Sequence, residues 1–316
     1  MKLSVIIVNY NTKQLLKDCL ESIFKHTKNL NFEVVVVDNA STDGSREVVA
    51  RYQKSGVSSQ RPVTSDPLKV RLVSGGQRSE KITVHLIKSR TNLGFAGGNN
   101  LGIKITQGQY VLLLNSDTLL KDNAFLKMVN FMDKNPQVSV LGPRLLNGDD
   151  SYQNSVGRFP GLPVVMMMLF KEHFGGSDYV RWSPDKGCEV DWVMGAALMT
   201  RRKIFDTVGF LDRKMFLYME EVEWCYRVKK AGKKIFFYPD AEITHLWQGS
   251  SKTGRKDPIV NIYKGLIYFY KKHKNLLELL ILRLLLKIKA GGVLLWGYLT
   301  NNAYLKETYA EAIKIS

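Results

Sequence analysis

The 316-residue sequence predicts an α/β protein with a mostly parallel central sheet flanked by helices. Three observations carry that expectation. Short β-branched runs alternate with helix-period stretches from Leu3 to Leu114. A lone carboxylate, Asp117, closely follows the apolar run Tyr110 to Leu114, and in open α/β sheets ligands bind at the carboxyl ends of the strands. With 45% hydrophobic residues, the chain can bury the core of one large domain with an appendage, or of two small ones.

Leu3 to Val8 reads as the first strand. Leu15, Leu16, Cys19, Leu20, Ile23 and Phe24 recur at helical spacing and form the buried stripe of the next element. Phe32 to Val37 reads as a second, central strand. It runs into Asp38-Asn-Ala-Ser-Thr-Asp-Gly-Ser45, where turn and N-cap residues crowd before a helix from about Arg46. Residues 54–81 break the rhythm with Ser, Gly, Pro and basic residues, as an inserted loop or hairpin would. Val84 to Ile87 resumes the sheet, and Thr91 to Asn100 forms a glycine-rich turn opening a helix. Such a turn lets backbone approach a ligand, but it is not G-x-G-x-x-G, so the dinucleotide fingerprint is absent.

Asn115-Ser116-Asp117 ends the fourth strand, where a carboxylate can hold a metal against a diphosphate; an ordinary strand exit is the alternative. A helix near Ala124 to Met132 and an irregular stretch through about Asp185 are expected next. Asp191 to Thr200 then brings Trp192 close to the small residues Gly195 and Ala196, which suits a sugar pocket or plain buried packing. From Glu220 onward a helix carries Glu220, Glu221 and Glu223 in its first turn, a cluster that also complements a helix dipole. Crowding by Glu220 and Glu223 is expected to raise a neighbouring carboxyl's pKa. Ile259, Ile262, Tyr263, Leu266 and Tyr270 mark one helical face, and a strongly apolar stretch, Leu276 to Leu299, follows. Glu278, Arg283, Lys287 and Lys289 interrupt that stretch, so no run approaches the roughly 18 uncharged residues of a spanning helix. Helices lying on a membrane, or a core-packed hairpin, fit it.

The net charge of +17 is concentrated in two places. Arg51 to Arg90 holds nine Lys/Arg against two acids, and Ser251 to Ser316 twelve against four, leaving +2 elsewhere. The first segment has Tyr52 as its only aromatic, so a nucleic-acid partner is not expected, whereas an anionic membrane surface suits the C-terminal excess. Three cysteines without C-x-x-C spacing argue against a disulfide framework and a zinc site. The apolar run Val5 to Val8 is too short for a secretory signal, so a cytoplasmic chain peripherally attached to the inner membrane face is expected.

Taken together, Ser4-Val-Ile-Ile-Val-Asn-Tyr-Asn11, Val37-Asp-Asn-Ala-Ser-Thr-Asp-Gly-Ser45 and Asn92-Leu-Gly-Phe-Ala-Gly-Gly-Asn-Asn100 resemble glycosyltransferase family 2, the inverting GT-A enzymes. The resemblance extends over most of residues 3 to 275 and is strongest to the rhamnosyltransferase-like members that build bacterial surface polysaccharides. It implies a GT-A fold with a Rossmann-like sheet: a catalytic domain over residues 1–250, its nucleotide-binding half about 1–120 and acceptor-binding half about 121–250, then a membrane-associating helical segment, 251–316. Asn115-Ser-Asp117 stands where the family carries D-x-D, which implies Asp117 as a metal ligand with Asn115 replacing the first acid. Met219-Glu-Glu-Val-Glu-Trp-Cys-Tyr-Arg227 looks like the family's E-D-x-D helix, implying Glu221 as general base, with Glu220 and Asp191 in reserve. Ile243-Thr-His-Leu-Trp-Gln-Gly-Ser250 is similar to the family's histidine segment, implying that His245 joins a Mg2+ or Mn2+ site. Val8, Tyr10, Asn11, Asp38, Asn92, Gly94, Gly98, Asn99, Ser116 and Asp117 would line the nucleotide-sugar site. The implied reaction moves a sugar, L-rhamnose from dTDP-L-rhamnose by subgroup, to a hydroxyl of a lipid-linked saccharide; UDP- and GDP-sugars, or a noncatalytic membrane or polyanion binder of the same fold, are the alternatives.

Overall fold

The computed structural model describes residues 1–54, 82–174, 177–247 and 256–316. The basic insert expected at 54–81 therefore lies, from residue 55 on, outside the described residues. The chain begins β1 (Leu3–Asn9), α1 (Lys13–His26), β2 (Phe32–Asp38), α2 (Ser45–Lys54), β3 (Thr83–Lys88), α3 (Gly94–Ile105) and β4 (Tyr110–Asn115). It continues through β5 (Thr118–Leu119), α4 (Ala124–Lys134), β6 (Val138–Leu146), β7 (Tyr152–Gln153), β8 (Val156–Gly157), α5 (Leu162–Phe174), α6 (Ser177–Val180) and β9 (Arg181–Trp182). Then come β10 (Cys188–Glu189), β11 (Trp192–Val193), β12 (Ala197–Arg201), α7 (Ile204–Val208), α8 (Glu220–Lys230) and β13 (Lys234–His245). Three helices close the chain: α9 (Lys256–His273), α10 (Leu276–Leu299) and α11 (Ala303–Ile315).

The main sheet runs β10-β13-β6-β12-β4-β1-β2-β3. The segment β3-β2-β1-β4 is parallel throughout, as the βα alternation predicts. Beyond β4 the direction changes, because β12 pairs antiparallel with both β4 and β6. Alternation along β1 feeds two cores: Val5 and Ile7 pack with Leu16, Leu20 and Phe125, while Ile6 packs with Ile103, Val222 and Trp224. The sheet is thus sandwiched by helices, and its β1 and β4 ends open between them.

The stretch expected to be irregular through Asp185 is not so. It contains β6, buried along its whole length, with β7, β8 and α5. Gly142-Pro143-Arg144 disguises the strand. Pro143 sits opposite Tyr238, where the β13 ladder is irregular and a missing N–H is tolerated. Arg144 is buried because its Nη2 donates to the Pro184 and Asp185 carbonyls, each at 3.0 Å, and its guanidinium lies over the Tyr152 ring.

At the C terminus α10 is one continuous helix whose first turn carries an Asn275–Glu278 capping box. Leu282, Leu286 and Ala290 bury one face in a cluster with Tyr263, Leu266 and Phe269 of α9 and Val165 of α5. The opposite face, with Leu277, Leu280, Leu284, Ile288 and Leu295, is exposed. The stretch is thus a single helix, core-packed on one face and apolar but exposed on the other. Among the described residues, no helix is long and apolar enough to cross a membrane.

Candidate functional site

Loops leaving β1, β2 and β4 are stitched together at the carboxyl end of the sheet. Ser41 Oγ accepts from Asn9 Nδ2 at 3.1 Å and from the Asn11 N–H at 3.0 Å, while Asn11 Oδ1 accepts from the Thr42 N–H at 2.8 Å. Thr12 Oγ1 donates to Asn9 Oδ1 at 2.6 Å and lies 3.0 Å from Ser116 Oγ. Asn11 and Ala40 both have positive φ (53° and 70°), which folds the two loops toward each other. Val8 and Tyr10 are half-buried along this edge.

Asp38 is buried at the end of β2. Its Oδ2 accepts from Arg46 Nε, but Oδ1 has no hydrogen-bond partner. The next residue, Asn39, was not singled out from sequence, yet it anchors the glycine-rich turn. Its amide donates to Asn92 Oδ1 at 2.8 Å and to the Gly94 carbonyl at 3.2 Å, and accepts from the Leu93 N–H at 2.9 Å. Gly94 has φ +69°, and a Cβ there would stand 2.2 Å from the Phe216 carbonyl. Gly98 and Asn99 face inward: a Cβ on Gly98 would meet Val8 Cγ1 at 2.7 Å, and Asn99 Nδ2 bonds the Phe95 carbonyl at 3.0 Å. Gly98 thus lets α3 pack closely against β1, whereas the Asn99 bond stays within α3.

At the exit of β4, Asp117 is buried and its Oδ1 lies 3.4 Å from His245 Nε2. His245 arrives on the last residue of β13, which pairs with Thr118 of β5. Its ring contacts Asn115 Nδ2 at 3.3 Å, Gln153 Oε1 at 2.8 Å and, at 5.1 Å between centroids, the exposed indole of Trp247. Two hard or borderline donors thus face each other in a buried setting, a pair that fits one divalent cation sharing its remaining positions with phosphate oxygens or water. No group of three or more His, Cys, Asp or Glu converges among the described residues.

The start of α8 reaches the β4 exit through Gly195 and Ala196. The Asn115 N–H donates to the Ala196 carbonyl at 2.9 Å, and Gly195 is so placed that a Cβ would lie 3.6 Å from Glu221 Cβ and 3.1 Å from Phe95 Cζ. Gly195 therefore separates the β4 exit from Glu221. Glu220 and Glu221 each have a buried Oε2 without a partner. Burial pushes both carboxyls above the ordinary range, and the Glu221 charge adds to the effect on Glu220. The rise at Glu221 is moderated by its own backbone N–H, the Arg181 guanidinium and the Gly195 N–H. Tyr218 and Met219, just before this pair, both have positive φ (70° and 71°).

The expected crowding by Glu223 does not occur. Glu223 points to the other side of α8, fully buried, and accepts from Arg227 Nε at 2.9 Å, Lys272 Nζ at 2.9 Å and His273 Nε2 at 2.9 Å. These partners hold its carboxyl below the ordinary range. Asp191 Oδ2 is engaged by the Phe159 N–H at 2.9 Å. Trp192 is buried: its Nε1 donates to the Arg158 carbonyl at 2.9 Å, and a Cβ on Gly157 would touch its ring. Packing is thus the role of that indole. Cys19 and Cys225 are buried and Cys188 half-buried, all three as free thiols.

Residues 4–227 match the family model described as glycosyl transferase family 2. The chain belongs to glycosyltransferase family 2. It is 26% identical over 243 residues to a low-salt glycan biosynthesis hexosyltransferase of Haloferax volcanii, covering 72% of this chain and 62% of that enzyme. It is also 26% identical over 277 residues to an N-acetylglucosaminyl-diphospho-decaprenol L-rhamnosyltransferase of Mycobacterium tuberculosis, covering 81% of this chain and 78% of that one. A mannosyltransferase of Pyrobaculum calidifontis, solved in complex with GDP-Man and Mn2+, superposes with a TM-score of 0.55 at 15% identity, over 99% of this chain and 85% of that one. The family 2 chain thus shares the GT-A-like fold of that structure, a mixed, mostly parallel sheet between helices.

Proposed function

We propose that this family 2 protein is an inverting glycosyltransferase that moves a sugar from a nucleoside diphosphate to a hydroxyl acceptor in cell-surface glycan synthesis. The observation that supports the reading is that the Gly195-Ala196 turn links the two candidate groups: Ala196 bonds Asn115, which contacts His245 beside Asp117, and Gly195 lies against Glu221. Inversion requires the base on the face of the sugar opposite the departing diphosphate.

In this reading Asp117 and His245 would hold Mg2+ or Mn2+, which would supply charge stabilisation to the leaving diphosphate. Glu221 accepts the proton of the acceptor hydroxyl. Glu220 stays protonated beside it, because two adjacent buried carboxyls cannot both ionise cheaply. Asp38 Oδ1, buried and unpartnered, awaits a donor such as a nucleobase N–H. The loops held by Asn11, Ser41 and Asn39 shape the nucleotide pocket, with Val8, Tyr10, Asn92 and Ser116 along it. The open face of Trp247 offers an aromatic surface to a sugar ring.

The donor assigned is dTDP-L-rhamnose and the acceptor a lipid-linked saccharide, supported by the likeness to the mycobacterial rhamnosyltransferase over most of both chains. The apolar face of α10, flanked by Arg283, Lys287 and Lys289, supports attachment to an anionic membrane surface where such an acceptor resides.

The test is release of nucleoside diphosphate from dTDP-, UDP- and GDP-sugars with Mn2+ or EDTA, comparing wild type with Asp117→Ala and Glu221→Gln. Metal-dependent release with one nucleotide series, lost in both variants, supports the reading. Donor binding without turnover, even with membrane lipid extracts present, refutes it in favour of a noncatalytic binder.

A further inference from the structure

Gln153 was not singled out by any sequence motif, yet it is buried on β7 and makes three hydrogen bonds with one amide. Its Nε2 lies 3.1 Å from the His245 backbone carbonyl and 2.8 Å from Asn147 Oδ1, while its Oε1 lies 2.8 Å from His245 Nδ1. A backbone carbonyl can only accept, so the amide atom facing it must be the NH2 group. The amide oxygen is then turned toward the imidazole, and Nδ1 must carry the hydrogen. On the neutral ring Nε2 then carries the lone pair, 3.3 Å from Asn115 Nδ2 and 3.4 Å from Asp117 Oδ1.

We infer that Gln153 is a positioning residue that locks His245 in the Nδ1–H tautomer, so that its Nε2 lone pair and the Asp117 carboxylate form a ready-made two-donor site for a divalent cation. For the neutral ring the tautomer follows from the hydrogen bonds alone; the cation rests on the function proposed above. The arrangement has a local origin. Asn147 to Ser151 forms the turn between β6 and β7, with the Asn147 N–H on the Ser151 carbonyl at 2.8 Å, and β6–β7 pairing sets Gln153 opposite Leu145. The β6–β13 pairing then brings His245 alongside, because Thr244 pairs with Leu146. A hairpin tip therefore orients a side chain 92 positions away. Partners of this kind, beyond the ligand itself, typically change metal affinity about 10- to 100-fold when removed.

Nitrogen-15 histidine spectra of the full-length, metal-free protein, read on the neutral ring, test the tautomer directly. Wild type is expected to show His245 protonated at Nδ1. Gln153→Leu, similar in size and lacking the acceptor, is expected to release the ring into a tautomer mixture. Gln153→Glu keeps an acceptor toward Nδ1 but loses the donor to the His245 carbonyl, and is expected to keep the hydrogen on Nδ1 at a cost in thermal stability. In parallel, Mn2+ affinity with dTDP present should fall about 10- to 100-fold in Gln153→Leu and recover in Gln153→Glu. An Nε2–H tautomer in wild type, or an unchanged tautomer in a folded Gln153→Leu, overturns the positioning role. Tautomer switching as expected, but equal Mn2+ affinity in wild type and His245→Ala, overturns the cation reading and leaves the orienting role standing.

Discussion

Replacing Glu223 with Ala tests whether the C-terminal helices and the helix bearing Glu220 and Glu221 form one unit. The carboxylate is completely buried, neutralises Arg227 and Lys272 and accepts a hydrogen bond from the His273 ring, whose pKa burial lowers, joining α8 to α9. Its loss strands neither cation. Arg227 retains the Val208 and Phe210 carbonyls, and Lys272, about a third exposed, retains Asp212 at 2.6 Å. His273 Nε2 loses its acceptor. Breaking a buried ion pair costs about 3–5 kcal/mol, and the surviving partners place this site near the low end, about 3 kcal/mol. At about 2 °C per kcal/mol for a chain of this size, Tm should drop by about 6 °C. Glu223→Gln should fall between, since an amide still accepts hydrogen bonds.

The pH dependence gives an independent check. Because the folded carboxyl sits below its ordinary pKa, its stabilisation is fully present above the ordinary carboxylate range. It is lost as pH falls through that range to the lowered value. Urea unfolding of wild type and Glu223→Ala should therefore differ most at neutral pH and converge in acid. A neutral-pH difference below about 1 kcal/mol would show that the cluster is solvated in solution and would refute the reasoning.

Glu221→Gln should lower turnover by about 10²- to 10⁴-fold with donor affinity retained, measured by diphosphate release against equilibrium binding. Because burial raises the Glu221 pKa, activity should rise with pH through a midpoint above the ordinary carboxylate range; a midpoint at or below it would contradict the assignment. Gly98→Ala places a methyl 2.7 Å from Val8 Cγ1, and pushing α3 off β1 should cost about 1–3 kcal/mol in chemical unfolding. On α10, Leu284→Asp should abolish flotation with anionic vesicles while leaving thermal stability within about 0.5 kcal/mol; equal flotation would disprove docking by that face. Leu282→Asp, on the buried face of the same helix, should instead unfold the C-terminal cluster, visible as lost near-UV signal and lowered Tm.

Periodicity alone located the parallel half of the sheet, because each βα unit from Leu3 to Asn115 is written in consecutive residues: a β-branched run, a turn, then an apolar stripe. It likewise showed where Asp117 and the Glu220–Glu221 pair stand on their elements, and the order of motifs identified the family. The acidic first turn was visible too, but not its division of labour. Residues 221 and 223 lie about 200° apart around a helix, and only the docking of α9 decides which side meets Lys272 and which faces Gly195. The strand β6 escaped notice because Pro143 and Arg144 are unfavourable in a buried strand unless neighbours distant in sequence supply an irregular ladder and carbonyl acceptors. The antiparallel entry of β12 beside β4, the burial of Trp192 and the hydrogen bond from His245 to Gln153 were decided by tertiary structure for the same reason. Each depends on a partner tens of residues away, and a local hydrophobic pattern encodes which face of an element is buried but not which chain segment buries it.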